Sequence, residues 1–250
     1  MKEKIVIKNL CKSFGTKVVL DNLDLTVYES EILCIIGISG VGKSVILKTL
    51  IGIIPPDSGS ILVDGIEFIG ADNETRHRIL SQYGILFQGA ALFDSLNVYD
   101  NVAFGLRRKN VPEDQIAAIV PEMLAGVGLK NIEDKRPSDL SGGMQKRVGL
   151  ARSIALKPHI MLYDEPTTGV DPITGGAVDR LIKKMRDDFG VTSIVVTHDM
   201  KSAFRLADRI AMLYDGKIIC QGPPDSIRNA DNPYVRQFIE GRAHGPIQVL

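Results

Sequence analysis

Apolar and polar residues alternate through two runs near the start, KIVIKNL and KVVLDNLDLTVY, and this period of two predicts antiparallel strands. EILCII differs: its continuous apolar run fits a strand buried on both faces, as in a parallel sheet. A glycine-rich loop comes next, and VILKTLIG then predicts a helix that stops at Gly52, ahead of Pro55 and Pro56. From about residue 97 to residue 156 the pattern is mostly helical, with Pro112 and Pro121 as expected helix starts and Gly126 and Gly128 as breakers. HIMLY and TSIVVT are two further apolar strands. The helix expected between them has Asp171 at its N-cap and Pro172 in its first turn. Val178, Leu181, Ile182, Met185 and Phe189 form its apolar stripe, and Gly190 ends it. IAMLYDGKIICQG reads as a hairpin about Asp215 and Gly216. Strands alternating with helices give an α/β fold with a helical insertion in its middle.

Composition narrows the class. Across 250 residues, 30 Lys and Arg balance 30 Asp and Glu. The overall basic footprint of a dedicated nucleic-acid binder is therefore absent, and no nucleic-acid partner is expected. No stretch approaches the ~18 to 20 apolar residues that cross a bilayer. MKEKIVIKNL lacks an apolar signal core, so a cytosolic chain is expected. Cys11, Cys34 and Cys220 are odd in number, far apart and set in apolar or strand-like surroundings, which fits reduced packing residues, with a reactive or metal role as the alternative.

Two segments carry chemistry. Gly37-Ile-Ser39-Gly40-Val41-Gly42-Lys43-Ser44 has the phosphate-loop spacing G-x-x-x-x-G-K-[ST], between an expected strand and an expected helix. Its glycines let successive backbone N–H groups turn toward phosphate oxygens, and the succeeding helix presents its positive end to the same anion. Lys43 is placed for the β- and γ-phosphates, and the Ser44 hydroxyl for Mg²⁺. The strand Ile160–Tyr163 runs into Asp164 and Glu165. An acid there can hold Mg²⁺, and its neighbour can orient a water. Alone, such an ending reads equally well as a helix cap or a surface turn. Beside a phosphate loop it becomes the second half of a nucleotide site, and the pair predicts an NTPase.

Leu140-Ser141-Gly142-Gly143-Met144 read alone is a helix cap, yet it resembles the signature of ATP-binding cassette (ABC) proteins, and other elements stand in that family's order. Phe14 matches the aromatic that stacks on adenine, Gln88 the Q-loop glutamine, Gly169-Val-Asp171 the D-loop, and His198 the switch histidine. The resemblance implies a P-loop NTPase fold with a RecA-like core, an antiparallel β subdomain and an inserted helical subdomain (roughly 97–156). It also implies a nucleotide-binding domain over 1–240 and a C-terminal tail over 241–250. Two copies would close head to tail, with ATP held between the phosphate loop of one chain and Ser141, Gly142 and Gly143 of the other. Ser44, Gln88 and Asp164 would hold Mg²⁺, Glu165 would act as base, and Lys43, Gln88 and His198 would complete the catalytic set. Asp171 would approach from the D-loop. Met144 replaces the usual signature Gln, with Gln145 next to it, and Gly169 replaces the common D-loop Ser.

A narrower resemblance rests on LFQGAALFDSLNVYDNVAFGL, SGGMQKRV, DPITGGAVDRLI and PYVRQFIEGRAHGPI. All four are similar to the ATPase of Mla-type phospholipid transporters. This implies a peripheral subunit on the cytoplasmic face of the inner membrane. Its partners would be an integral membrane permease, an MCE-domain lipid-binding protein and a small regulatory subunit. Another ABC importer, a lipoprotein-release ATPase and a non-transport regulatory ATPase are the alternatives. At the end of the chain, Tyr234, Val235, Phe238 and Ile239 stand at near-helical spacing. That helix either caps its own domain or leads GRAHGPIQVL, which is too glycine-broken for a core element, onto the partner's cassette.

Overall fold

The computed structural model describes residues 1–248, and it turns the two alternating runs into β1 (Glu3–Phe14) and β2 (Lys17–Tyr28), paired antiparallel. β3 (Ile32–Ile36), α1 (Lys43–Leu50), β4 (Ser58–Val63), β5 (Ile66–Glu67), α2 (Asn73–Leu80) and β6 (Tyr83–Leu86) succeed them. Three helices come next: α3 (Val98–Arg108), α4 (Glu113–Gly126) and α5 (Gly142–Ile154). The chain then runs through β7 (Ile160–Asp164), α6 (Pro172–Phe189), β8 (Thr192–Thr197), α7 (Met200–Leu206) and β9 (Arg209–Tyr214). β10 (Lys217–Gly222), α8 (Pro224–Arg228) and α9 (Pro233–Glu240) complete it.

One sheet is antiparallel, in the order β2-β1-β4-β5; the other has the order β10-β9-β3-β8-β7-β6 and is parallel except at β10. β3 shows why its sequence is apolar without alternation. Leu33 and Ile35 join the core shared with α1 and the antiparallel sheet, while Ile32, Cys34 and Ile36 join the core on the other face. Each of these fully buried Leu and Ile side chains contributes about 1.5–3 kcal/mol. The β9–β10 turn is Asp215 and Gly216, both left-handed, as a two-residue hairpin with this twist requires.

Three sequence expectations meet corrections. Pro121 does not start a helix; it lies within α4. It is tolerated because the carbonyl it leaves without a donor, on Ala117, lies on the solvent side, while Ile116, Val120 and Leu124 hold the opposite face in the core. Phe189 leaves the stripe of α6: it is the last helical residue and is 69% exposed, whereas Val178, Ile182 and Met185 are buried.

The third correction concerns the tail. α9 packs on its own domain through buried Val235 and through Tyr234, whose ring lies 4.8 Å from that of Tyr214. Past the left-handed Gly241 the chain turns back, and Ile247 enters the same core at 4% exposure. Buried Gln237 fastens it. Its amide donates to the carbonyls of Ile247 (2.9 Å) and Arg242 (3.3 Å), and its oxygen accepts from Ile247 N–H at 2.7 Å. Gly245 is needed for close approach, since a Cβ there would sit 2.4 Å from Gln237 Cδ. The glycines that argue in sequence against a core element are thus what admits this segment to its own core. Val249 and Leu250, the last residues of the expected partner contact, lie outside the described residues.

Gln237→Leu fills the same space and leaves the Ile247 peptide unpaired. We expect it to lower stability in urea unfolding by about 1–3 kcal/mol and to speed proteolytic trimming of 242–248. Trimming at the wild-type rate would contradict this role of Gln237.

Candidate functional site

Gly42, with φ of 113°, is the last loop residue before α1, and a Cβ on it would lie 2.7 Å from Val19 Cγ1, so only glycine fits. α1 has neither a side-chain cap nor an acidic residue in its first turn, so its positive end is left uncompensated by its own side chains. Lys43 is buried, and its Nζ donates to the carbonyls of Gly37 (2.8 Å) and Ile38 (3.0 Å). It also lies 3.7 Å from Glu165 Oε1. Burial lowers the pKa of this ammonium, and the carboxylates of Glu165 and Asp164 work against that shift.

β7 delivers the two acids. Asp164 Oδ1 accepts from Ser44 Oγ at 2.8 Å. Glu165 comes next in a left-handed conformation, φ 50°, its N–H bonded to Val196 O on β8. Glu165 Oε2 accepts from Thr168 Oγ1 (3.0 Å), Thr197 Oγ1 (3.4 Å) and His198 N–H (3.4 Å), and His198 Nδ1 lies 2.9 Å away. The His198 side chain is 54% exposed, so it spans from the buried carboxylate to the surface.

A cavity of about 410 Å³ opens over these groups. It brings together Phe14, Ser39, Gly40, Gly42, Lys43, Ser44, Gln88, Glu165 and His198 from the expected set, with Asp164 beneath Ser44. Gly37 and Val41 complete the loop around it. Phe14, half exposed, stands at the mouth with Lys12 Nζ 5.4 Å from its ring centre. Gln88 precedes two consecutive left-handed alanines, Ala90 and Ala91. Their carbonyls are pinned by the largely buried Arg152 guanidinium of α5, at 2.8 and 2.7 Å. Burial pushes the pKa of Arg152 down.

Ser141, Gly142, Gly143 and Asp171 do not line this cavity. Ser141 caps α5 by accepting from Met144 N–H, and Ser141 and Gly142 are exposed. Gln145 does not stand in for the missing signature glutamine, because its amide is engaged by the carbonyls of Pro137 and Leu140. Asp171 caps α6. Hydrogen bonds from Thr174 and the first amides of α6 hold its carboxyl below the usual range. Sequence reasoning missed Lys17, Val19 and Val45 in the lining, and Thr168 on the Glu165 carboxylate. Thr168 had a signal, since a hydroxyl three residues beyond an acid in a tight turn can fold back onto it. Lys17 had none.

The donors fit Mg²⁺. Ser44 and Asp164 converge as a hydroxyl and a carboxylate oxygen, with the Gln88 amide across the same cavity. Among the described residues no three His, Cys, Asp or Glu side chains gather into a metal cage.

The profile of the ABC transporter family matches residues 20–168. The chain is 41% identical over 244 residues to the probable ribonucleotide transport ATP-binding protein mkl of Mycobacterium tuberculosis, covering 97% of this chain and 68% of that one. It is 39% identical over 245 residues to the intermembrane phospholipid transport system ATP-binding protein MlaF of Haemophilus influenzae, covering 98% and 93%. Its fold is similar to a dimeric ATP-binding cassette in a post-hydrolysis state bound to ADP and Pi. The TM-score is 0.81 at 31% identity, covering 88% of this chain and 98% of that one. With the phosphate loop, the strand-end acids and the histidine converging on one cavity, the chain belongs to the ABC transporter family.

Proposed function

We propose that this chain is the ATP-hydrolysing subunit of a phospholipid transporter of the Mla type. The observation that carries the ATP-hydrolysing half of this reading is the division of the site. One cavity holds the phosphate loop, Asp164, Glu165 and His198, while Ser141 and Gly142 stand exposed at the start of α5, outside it. Such a molecule completes its site with a second copy, head to tail. The similarity to a dimeric cassette supports that assembly. The exposed Ser141 and Gly142 belong to a helical subdomain, roughly 97–156, inserted into a nucleotide-binding domain over 1–240.

In this reading the loop amides, the α1 N-terminus and Lys43 bind the triphosphate, and Phe14 stacks on the base. Ser44, Asp164 and Gln88 hold Mg²⁺. When bound, the ion offsets charge on the β- and γ-phosphates. Bonds from Thr168, Thr197 and His198 to Glu165 Oε2 fix the carboxylate, which leaves Oε1 to take the proton of the attacking water. His198 spans from Glu165 to the γ-phosphate. Asp171 and Ser141–Gly143 contact the nucleotide of the partner.

The cargo is argued from the relatives and from the segment after Gln88. The name of the MlaF relative specifies phospholipid, and that of the mkl relative specifies ribonucleotide. The LFDSLNVYDNVAFGL stretch and the tail favour phospholipid, because both are similar to Mla-type ATPases. The chain then works on the cytoplasmic face of the inner membrane against a permease, with an MCE-domain protein and a small regulatory subunit. Among the described residues no helix is long and apolar enough to cross a membrane, so the permease supplies the spans.

Lys43→Ala is expected to weaken nucleotide binding, whereas Glu165→Gln leaves binding intact and slows hydrolysis by ~10² to 10⁴. Equilibrium binding and steady-state turnover separate the two effects, and wild-type turnover by Glu165→Gln would refute the base assignment.

Mixing Lys43→Ala chains with Ser141→Arg chains tests the head-to-tail site. Each variant alone spoils both composite sites, and a mixed dimer keeps one intact. Recovered hydrolysis is the expected result. Mixed dimers that form without any recovery contradict it.

Purification from membranes in mild detergent should bring down a permease and an MCE-domain protein with bound phospholipid. A permease carrying nucleotides or amino acids, without an MCE-domain protein, would reject the cargo.

A further inference from the structure

Lys146 is the fifth residue of α5 and only 5% exposed. Its Nζ donates to the carbonyl oxygens of Glu165, at 3.1 Å, and of Thr168. These carbonyls are the two ends of the turn that carries Glu165 from β7 toward Gly169, and Thr168 N–H closes the same turn on Glu165 O at 3.2 Å. Inside the turn, Thr168 Oγ1 holds the Glu165 carboxylate. One helical turn back on the same face of α5, a Cβ on Gly143 would lie 2.5 Å from Thr174 Cγ2 and 3.7 Å from Val170 Cγ1. A single face of α5 therefore lies along the whole stretch 165–174, from the proposed base to the start of α6.

An ammonium is a costly way to fill that space. Burial lowers its pKa, and only the charge of Glu165 counters this. An apolar side chain of similar length would pack without desolvation, but it would leave the Thr168 carbonyl without its donor and the Glu165 carbonyl with only the turn's own Thr168 N–H, so that nothing on α5 fixes the left-handed turn. What the lysine adds is a fixed geometry for Glu165.

We propose that Lys146 is a positioning residue for hydrolysis. It ties the backbone of Glu165 to the signature helix, so the seating of Ser141–Gly143 on the partner's nucleotide sets the carboxylate of the same chain's own site. The inference rests on the proposed roles of Glu165 and of Ser141–Gly143. It links the two composite sites of the dimer through the rigid body of α5, without a change in either nucleotide pocket.

The test compares Lys146→Met and Lys146→Arg, each with and without Glu165→Gln. Nucleotide affinity, kcat, KM and the residual single-turnover rate are measured. Lys146→Met is expected to lower kcat by about ten- to a hundredfold, the scale of an ångström-size misplacement, while KM and affinity stay within about twofold. Lys146→Arg keeps a cation and several donors and should restore most of that loss. In the Glu165→Gln background Lys146→Met should change the residual rate by less than about twofold, because the group it positions is gone. Equal factors in both backgrounds, weakened nucleotide binding or an unchanged kcat each overturn the proposal. Should Lys146→Met fail to fold, Lys146→Gln retains one amide donor. A partial loss of kcat is expected from it, and wild-type kcat overturns the proposal. A fully active Lys146→Met beside an inactive Glu165→Gln rejects the link alone, whereas an active Glu165→Gln rejects the base on which it rests.

Discussion

Hydrogen-bond register among β3, β8 and β7 determines where the chemistry can occur. Ile36 pairs with Thr197, and Asp164 pairs with Val196, so the carboxyl ends of three adjacent parallel strands finish level with one another. The residues just past each end are thereby brought to a common rim: the phosphate loop after Ile36, Glu165 after Asp164, and His198 after Thr197. The register holds because all residues of these strands are buried, with helices or a second sheet over each face. A slip of one residue in β7 would exchange its two faces and replace Asp164 with Tyr163 at the rim.

Holding charge at that rim works against the hydrophobic order that creates it. Lys43, Lys146, Asp164 and Glu165 are all buried, two of each sign. Removing one member of such a set strands the others at a cost of about 3–5 kcal/mol, although an apolar set of equal volume would be the more stable. The arrangement is also lopsided. Among the described residues the Asp164 side chain accepts a hydrogen bond from Ser44 alone, whereas Glu165 is surrounded on side chain and backbone by Lys43, Lys146, Thr168, Thr197 and His198. The more heavily braced of the two acids is the one proposed to meet the reacting water, a role that calls for a fixed direction.

Much of this is readable from the sequence, and the reason is local. A phosphate loop, a strand ending in two acids and a helix bounded by Asp171 and Gly190 are each set by a few neighbouring residues with strong backbone preferences. Pro121, Phe189 and Gln237 are not readable in that way, because their settings depend on the groups opposite them. Pro121 sits on a solvent face that spares its missing donor. Phe189 falls beyond the surface that its helix covers, and Gln237 meets a segment ten residues away. Lys146 is hidden more completely. A lysine near a helix start reads as a solvated charge, and only the fold reveals the carbonyls that draw it inward.

The left-handed backbone of Glu165 has an evolutionary side. For any residue but glycine this conformation costs about 1–2 kcal/mol, and the cost is borne at the position assigned to the base. Glycine there would relieve the strain, whereas a β-branched residue would add to it. A lineage released from the need to hydrolyse nucleotide would drift through this codon toward small, permissive residues while keeping a sound fold. Degenerate cassettes of this kind should then betray themselves first at the turn after β7, with their phosphate loops still intact.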